Sequence, residues 1–126
     1  MTTLTFDSYA WIAYLKGETK KIEGIVSSDA KIMTPAVVIT EVKHKCLREN
    51  YADAVEDVLE FIESRSMIID INKTIASQAA DLKIKHGLYT IDAIIYATAL
   101  ENGTKLVSGD EHLKGLPDVV TIKEDK

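Results

Sequence analysis

Residues 2–15 read Thr-Thr-Leu-Thr-Phe-Asp-Ser-Tyr-Ala-Trp-Ile-Ala-Tyr-Leu, and this stretch sets the pattern of the fold. Its first part, residues 2–6, carries β-branched and aromatic side chains and predicts a short strand. Residues 8–15 then predict a helix, for which Asp7 or Ser8 can act as the N-terminal cap. The chain therefore opens with a strand that ends at an acidic residue and turns directly into a helix.

The same succession of strands and helices continues to the end of the chain. Strands are predicted over residues 31–34, 67–71, 105–108 and 119–122. Helices are predicted over residues 19–28, 34–50, 52–64, 72–87 and 90–103, with Thr34, Asn72 and Thr90 as caps. Strands separated by helices favour parallel pairing with helices on both faces, so the predicted fold class is α/β with a central parallel sheet.

Composition restricts the kind of protein that this chain can be. Its 126 residues predict one domain, spanning residues 1–126, with a real hydrophobic core. No apolar run approaches the ~20 residues of a membrane span, and no secretion signal is recognisable. The single cysteine, Cys46, is expected in the core and fits a reducing compartment, which predicts a cytoplasmic protein.

A net charge of −5 counts against simple electrostatic coating of nucleic acid, but not against a nuclease that uses bound cations.

Four acidic residues stand where an apolar segment meets a helix or a turn: Asp7, Glu41, Asp92 and Asp110. In open parallel sheets, ligands bind beyond the C-terminal ends of the strands, and the following helices begin near that edge. The four carboxylates are therefore expected to converge there. Such a cluster repels itself unless a cation neutralises it, and hard divalent cations prefer oxygen ligands. Ser108 is a supporting candidate, because its hydroxyl could hold a carboxylate or a metal-bound water.

Each acid also has a purely structural interpretation. Asp7 could cap the following helix, Asp92 could complement a helix dipole, and Asp110 could be a turn residue. Glu41 could pair with Lys45 one helical turn later. One site explains all four positions together, which is why the site is the favoured hypothesis.

The remaining candidates are weaker. The three histidines, His44, His86 and His112, lack the spacing of zinc ligands, and a surface role is favoured for His112. The aromatic residues of the first helix, Tyr9, Trp11 and Tyr14, are expected in the core or at an oligomer interface rather than stacked on bases.

With these residues placed, the chain resembles the PIN-domain endoribonucleases, specifically the VapC toxins of bacterial and archaeal toxin–antitoxin pairs. The resemblance covers nearly the whole chain. It rests on four motifs in order, each containing one of the acids: Asp7-Ser8-Tyr9-Ala10-Trp11-Ile12-Ala13-Tyr14-Leu15, Ile39-Thr40-Glu41-Val42, Ile91-Asp92-Ala93-Ile94-Ile95-Tyr96-Ala97-Thr98-Ala99 and Leu106-Val107-Ser108-Gly109-Asp110-Glu111-His112-Leu113. Two departures are small: Leu113 stands where an aromatic residue is common, and Ser108 stands where threonine is common.

The resemblance implies a three-layer α/β/α sandwich around a parallel sheet of strand order 3-2-1-4-5. It also implies Mg²⁺- or Mn²⁺-dependent cleavage of RNA, a homodimer, and a cognate antitoxin that blocks the active site. The hypothesis is that Asp7, Asp92 and Asp110 hold one or two metal ions, while Glu41 completes the ligand set or orients the attacking water. Contacts to RNA are expected from lysines at the rim, with Lys16, Lys43 and Lys45 as candidates.

Two other functions remain open at this point. One is a receiver-like signalling domain with a site built from Asp7, Asp70, Ser108 and Lys123. The other is a non-catalytic dimeric module that binds RNA or protein and keeps the fold without the chemistry.

Overall fold

The computed structural model describes residues 2–123 and residue 125, and the centre of this part of the chain is a five-stranded sheet. All four strand pairs are parallel, in the order β3-β2-β1-β4-β5. The strands are β1 (Thr3–Phe6), β2 (Lys31–Pro35), β3 (Met67–Ile69), β4 (Lys105–Ser108) and β5 (Val119–Thr121). The predicted α/β class and the strand order 3-2-1-4-5 are confirmed.

Six α-helices flank the sheet within the described residues, which confirms the predicted three-layer sandwich. They are α1 (Ser8–Lys16), α2 (Lys20–Ser27), α3 (Ala36–Arg48), α4 (Val55–Arg65), α5 (Lys73–His86) and α6 (Thr90–Glu101). No helix in this part of the chain has the length and apolar character that crossing a membrane requires.

Trp11 anchors the core between α1 and the sheet and is completely buried. Its ring packs edge-on against Phe6, Tyr14 and Phe61, with ring centroids 4.9–6.4 Å apart. Such edge-to-face pairs add stability beyond the apolar area that they bury. The expectation that the aromatic residues of the first helix pack in the core is met by Trp11, and Cys46 is also buried as predicted.

Three predicted helix starts are wrong, and tertiary contacts account for two of them. Thr34 does not cap a helix: its hydroxyl accepts a bond from Trp11 Nε1 at 3.0 Å and pairs with the Ser66 hydroxyl at 2.8 Å. Strand β2 therefore runs on to Pro35, and α3 begins one residue later.

Thr90 is the first residue of α6 rather than its cap, because its hydroxyl accepts a bond from Lys83 Nζ. The helix predicted from residue 52 opens instead with a single 3₁₀ turn over Ala52–Ala54.

Arg65, the last residue of α4, ties this helix to the end of α2. Its guanidinium donates to four backbone carbonyls, at 2.8–3.3 Å, on Ile25, Val26, Ser28 and Ala30. Carbonyls at a helix C-terminus lack partners within the helix, and a planar guanidinium offers five donors to satisfy them.

We therefore expect Arg65→Lys to lower the free energy of unfolding by about 1–3 kcal/mol, because an ammonium cannot reach all four carbonyls. Urea denaturation measures this change. Arg48→Lys on α3 is the matched control, since Arg48 is exposed and its contact with Glu49 is a long surface pair at 3.5 Å. Equal stability of the two variants would show that water satisfies the carbonyls as well as Arg65 does.

Candidate metal centre

Asp7 lies at the C-terminal edge of the sheet because β1 ends at Phe6. The register of β1 on β4 pairs Phe6 with Val107, and the Asp7 amide donates to the Val107 carbonyl at 3.3 Å. Asp7 therefore sits beside Ser108, the last residue of β4. Its carboxylate also caps α1, since Oδ1 accepts a hydrogen bond from the Ala10 amide at 2.8 Å. The capping interpretation is thus correct, but it does not account for the surroundings of this carboxylate.

Those surroundings are unfavourable for a negative charge. Asp7 is only 4% exposed. Burial raises the pKa of its carboxyl from 3.8 to about 7, and the nearby charges of Asp110 and Glu41 add to the rise. Hydrogen bonds from the Ser108 side chain and the Ala10 amide act in the opposite direction and do not compensate. A buried acid in this state is poised to bind a cation or keep a proton.

Asp110 reaches the same edge from the turn that follows β4. Its amide donates to Ser108 Oγ at 3.0 Å, and its Oδ1 accepts a bond from the His112 amide at 2.8 Å. The second bond makes this an Asx turn, so the interpretation of Asp110 as a turn residue is also correct. The Ser108 hydroxyl therefore links the Asp7 carboxylate to the backbone of the turn that carries Asp110.

Asp92 comes to the edge from the first turn of α6. It is half-buried, and burial raises the pKa of its carboxyl from 3.8 to about 6. The charges of Asp110 and Glu41 raise this pKa further, whereas His112 lowers it. Oxygens of Asp92 and Asp110 and a ring nitrogen of His112 all lie within 4.8 Å of one another.

Glu41 completes the group from the second turn of α3. Its Oε1 accepts a hydrogen bond from Ser8 Oγ at 2.9 Å, and its charge acts on both Asp7 and Asp92. The proposed alternative, a pair between Glu41 and Lys45, is not what forms: Lys45 makes its ion pair with Glu49 at 2.5 Å. Ser8 therefore aims this carboxylate toward the other acids.

The structure thus places all four predicted acids near one edge of the sheet. Asp92 and Asp110 lie within ligand distance of each other, whereas Asp7 and Glu41 are outside that group and are connected to it by the effects of charge on pKa. An all-oxygen carboxylate set, in which burial and then neighbouring charge raise two pKa values, fits a hard divalent cation such as Mg²⁺ or Mn²⁺. The imidazole of His112 stands at the edge of this set, with Nδ1 3.0 Å from Asp110 Oδ1. Sequence reasoning undervalued His112, and its position two residues after Asp110 was the available signal.

Two of the lysines named as RNA contacts are engaged elsewhere. Lys16 and Lys45 both pair with Glu49, at 3.6 and 2.5 Å, on the side of the molecule formed by α1 and α3. Lys43 is exposed on α3.

The receiver-like alternative does not fit this architecture. A receiver-type doubly wound sheet has the order 2-1-3-4-5, in which the first and third strands are neighbours. Here β3 is an edge strand next to β2, so Asp70 just after it lies two strands away from Asp7.

Comparison with known proteins adds an independent finding. The PIN-domain family model matches residues 4–119. A chain of a toxin–antitoxin complex from Klebsiella pneumoniae is 24% identical, with a TM-score of 0.79 over 94% of this chain and 96% of that one. VapBC2 from Rickettsia felis, bound to a promoter DNA fragment, is 14% identical, with a TM-score of 0.77 over 98% and 100% of the two chains.

A third similar structure is VapC20 from Mycobacterium tuberculosis, a toxin that cleaves the sarcin–ricin loop. It is 16% identical, with a TM-score of 0.72 over 92% of this chain and 98% of that one. Comparison with curated protein sequences gives no match. At these identities the structural likenesses establish a shared fold.

Proposed function

Because the chain belongs to the PIN-domain family, we propose that it is a metal-dependent endoribonuclease that hydrolyses phosphodiester bonds in RNA. One observation carries this proposal: four carboxylates from separate parts of the chain lie at one sheet edge, and two of them have pKa values raised by burial and, to a lesser extent, by the charges of the other two. Buried carboxylates that repel each other lower the stability of the fold. Strongly perturbed pKa values of this kind cluster at functional sites, which supports a functional role for these acids.

Asp7, Asp92 and Asp110 are the residues that would hold Mg²⁺ or Mn²⁺, with Glu41 as a further ligand or as the group that orients the attacking water. When bound, the metal activates water and stabilises charge on the phosphate oxygens. The protein's own part is to hold these oxygens in place: Ser108 links Asp7 to Asp110, and Ser8 aims Glu41. Such fixed orientation of ligands by hydrogen bonds is typical of metal sites.

The proposed setting is a toxin–antitoxin pair of the VapBC type, in the cytoplasm. This chain would be the toxin, residues 1–126 would form one domain, two copies would associate, and a small antitoxin would block the acidic site. The support is the family together with similar structures that are themselves toxin–antitoxin complexes.

The test is cleavage of RNA by the purified protein in Mg²⁺ or Mn²⁺, compared with EDTA and with Asp92→Asn. We expect cutting that both controls abolish, because each removes the metal or one of its ligands. Asp81→Asn makes the same chemical change at an exposed position of α5 and is expected to cut like the wild type. Cutting that survives Asp92→Asn would point to a contaminating nuclease.

The alternative outcome is also informative. If the folded protein cuts neither single-stranded nor structured RNA, and Mg²⁺ does not raise its melting temperature, the acids do not bind metal. The non-catalytic binding module would then be the better description of this chain.

A further inference from the structure

An exposed aromatic side chain stands beside the acidic cluster and has no part in the chemistry proposed above. Tyr89 immediately precedes α6, the helix that carries Asp92, and 66% of its surface is exposed. Its ring meets the His112 ring edge-on, with the centroids 5.1 Å apart and an interplanar angle of 68°. Since His112 is hydrogen-bonded to Asp110, a continuous chain of contacts joins Tyr89 to the cluster.

The local structure gives no reason for a tyrosine at this position. Tyr89 occupies the N-cap of α6, where Ser, Thr, Asp and Asn are preferred, and its side chain makes no capping hydrogen bond. Tyr89 is not a core residue either: the neighbouring Leu88, which is only 3% exposed, packs into the core at this point of the chain. A large ring left in solvent next to a cluster of carboxylates is therefore available for contact with a ligand.

We propose that Tyr89, which packs in a T-shaped contact with His112, stacks on a base of the RNA next to the phosphate that is cut. This inference rests on the proposed nuclease function and names how the same site holds its substrate. Stacking on aromatic rings tolerates any sequence and contributes much of the affinity of single-stranded RNA for proteins.

The charge distribution makes such a contact useful here. The net charge of the chain is −5, and the candidate lysines Lys16 and Lys45 are paired with Glu49. Of the three candidate lysines, this leaves Lys43, which is exposed on α3, to attract the RNA backbone. A base held on Tyr89 would keep the adjacent phosphate over the carboxylates without needing additional positive charge. Tyr89 is in this sense a substrate-positioning residue.

The first experiment follows base stacking directly and does not depend on cleavage. A short single-stranded RNA carries 2-aminopurine at successive positions and is titrated with protein in EDTA. We expect quenching of fluorescence at one or two positions with wild type, Tyr89→Phe and Tyr89→Trp, and little quenching with Tyr89→Ala. Equal quenching by wild type and Tyr89→Ala at every position would overturn the proposal.

The second experiment measures kcat and KM on an RNA that the wild type cuts. Tyr89→Ala is expected to lower kcat/KM by roughly 5- to 100-fold, which corresponds to the loss of one stacked base, and Tyr89→Phe is expected to restore it. Removing the stacked base from the RNA should slow the wild type by the same factor and leave Tyr89→Ala unaffected. Additive effects of the two deletions would contradict the proposal.

Two controls separate the possible failures. Ile84→Ala removes another exposed apolar side chain, 87% exposed on α5, and is expected to leave quenching and cleavage unchanged. Sedimentation tests whether Tyr89→Ala, unlike Tyr89→Phe, dissociates a dimer; if so, Tyr89 belongs to an interface between two copies and the stacking proposal fails. If the wild type cuts no RNA, the nuclease proposal fails first and this inference falls with it.

Discussion

Asp7→Asn is expected to abolish RNA cleavage and, in the absence of metal, to make the protein more stable. Cleavage should fall by about 1,000-fold or more, since a ligand of the proposed metal site is lost, which is equivalent to about 4 kcal/mol of transition-state stabilisation. The gain in stability follows from the burial of Asp7, which penalises its charged form. Asparagine keeps the cap on α1, because its side-chain oxygen can accept the same bond from the Ala10 amide.

The pH dependence of this gain has a definite sign. The folded-state pKa of Asp7, about 7, lies above its ordinary value of 3.8, so the folded protein binds the proton more tightly than the unfolded chain does. Stability in EDTA therefore falls as the pH rises from about 4 to about 7, and the loss is complete above the folded-state pKa. Asp7→Asn lacks this proton, so its advantage should be absent below pH 4 and largest above pH 7.

A shift of this size corresponds to roughly 4 kcal/mol, and relaxation of the surroundings reduces it, so we expect Asp7→Asn to gain about 1–3 kcal/mol at pH 8. Urea denaturation in EDTA at pH 4 and pH 8 measures the difference. Asp81→Asn, an exposed acid on α5, should change stability by less than about 0.5 kcal/mol at either pH.

Metal provides a further check that needs no RNA. If the acids form a metal site, Mg²⁺ should bind only the folded protein, raise the melting temperature of the wild type and leave that of Asp7→Asn unchanged. If Asp7→Asn instead loses more than 1 kcal/mol in EDTA at pH 8, the carboxylate is stabilising as a charge. Asp7 would then be a structural cap, and the metal centre would have to be abandoned.

Much of this architecture could be anticipated from local patterns. The apolar segment before Asp7 and the one before Asp110 predicted strands, and parallel pairing places both strand ends at one edge. The positions of Asp92 in the first turn and of Glu41 in the second turn of their helices then predicted convergence. These predictions succeed because the periodicity of side chains along a strand or helix, and the direction of the helix, are set by the local backbone. Neither depends on contacts with distant parts of the chain.

What could not be anticipated depends on contacts between distant segments. Thr34 and Thr90 both have the sequence features of helix caps. In the structure the Thr34 hydroxyl instead hydrogen-bonds with Trp11 and Ser66, and the Thr90 hydroxyl accepts a hydrogen bond from Lys83. Nothing in the local sequence announces a competing partner 23 or 32 residues away. The contact between the rings of Tyr89 and His112 could not be predicted for the same reason, because it requires α6 and the turn after β4 to pack side by side.

Gly109 is the second position where a small change should have a large effect. It separates Ser108 from Asp110, and a Cβ atom built on it would overlap the ring of Tyr9 on α1. Tyr9 is partly buried against the core, so its ring cannot simply turn into solvent. The ring therefore approaches a bare backbone at the residue immediately before Asp110, and this approach is expected to set the position of Asp110 relative to Asp7.

We expect Gly109→Ala to lower the free energy of unfolding by about 1–3 kcal/mol, as overpacking does, and to lower kcat/KM for RNA by about 10- to 100-fold. The second effect is larger than lost stability can explain at a temperature where the variant is fully folded. It arises because the turn that carries Asp110 must shift. Gly24→Ala is the matched control: nothing lies within 4 Å of the added carbon in α2, so it should stabilise the helix by roughly 0.5–1 kcal/mol and leave cleavage unchanged.

A double variant tests whether the effect of Gly109→Ala is caused by contact with the Tyr9 ring. Replacing Tyr9 with alanine removes the atoms that the new methyl group meets, so Gly109→Ala should cost much less in the Tyr9→Ala background than in the wild type. The interaction energy between two residues in direct contact is expected at about 1–3 kcal/mol, well above the error of additivity. Full additivity would mean that Gly109 is required for another reason. In that case the approach of α1 to the turn after β4 would not be what sets the spacing of the two aspartates.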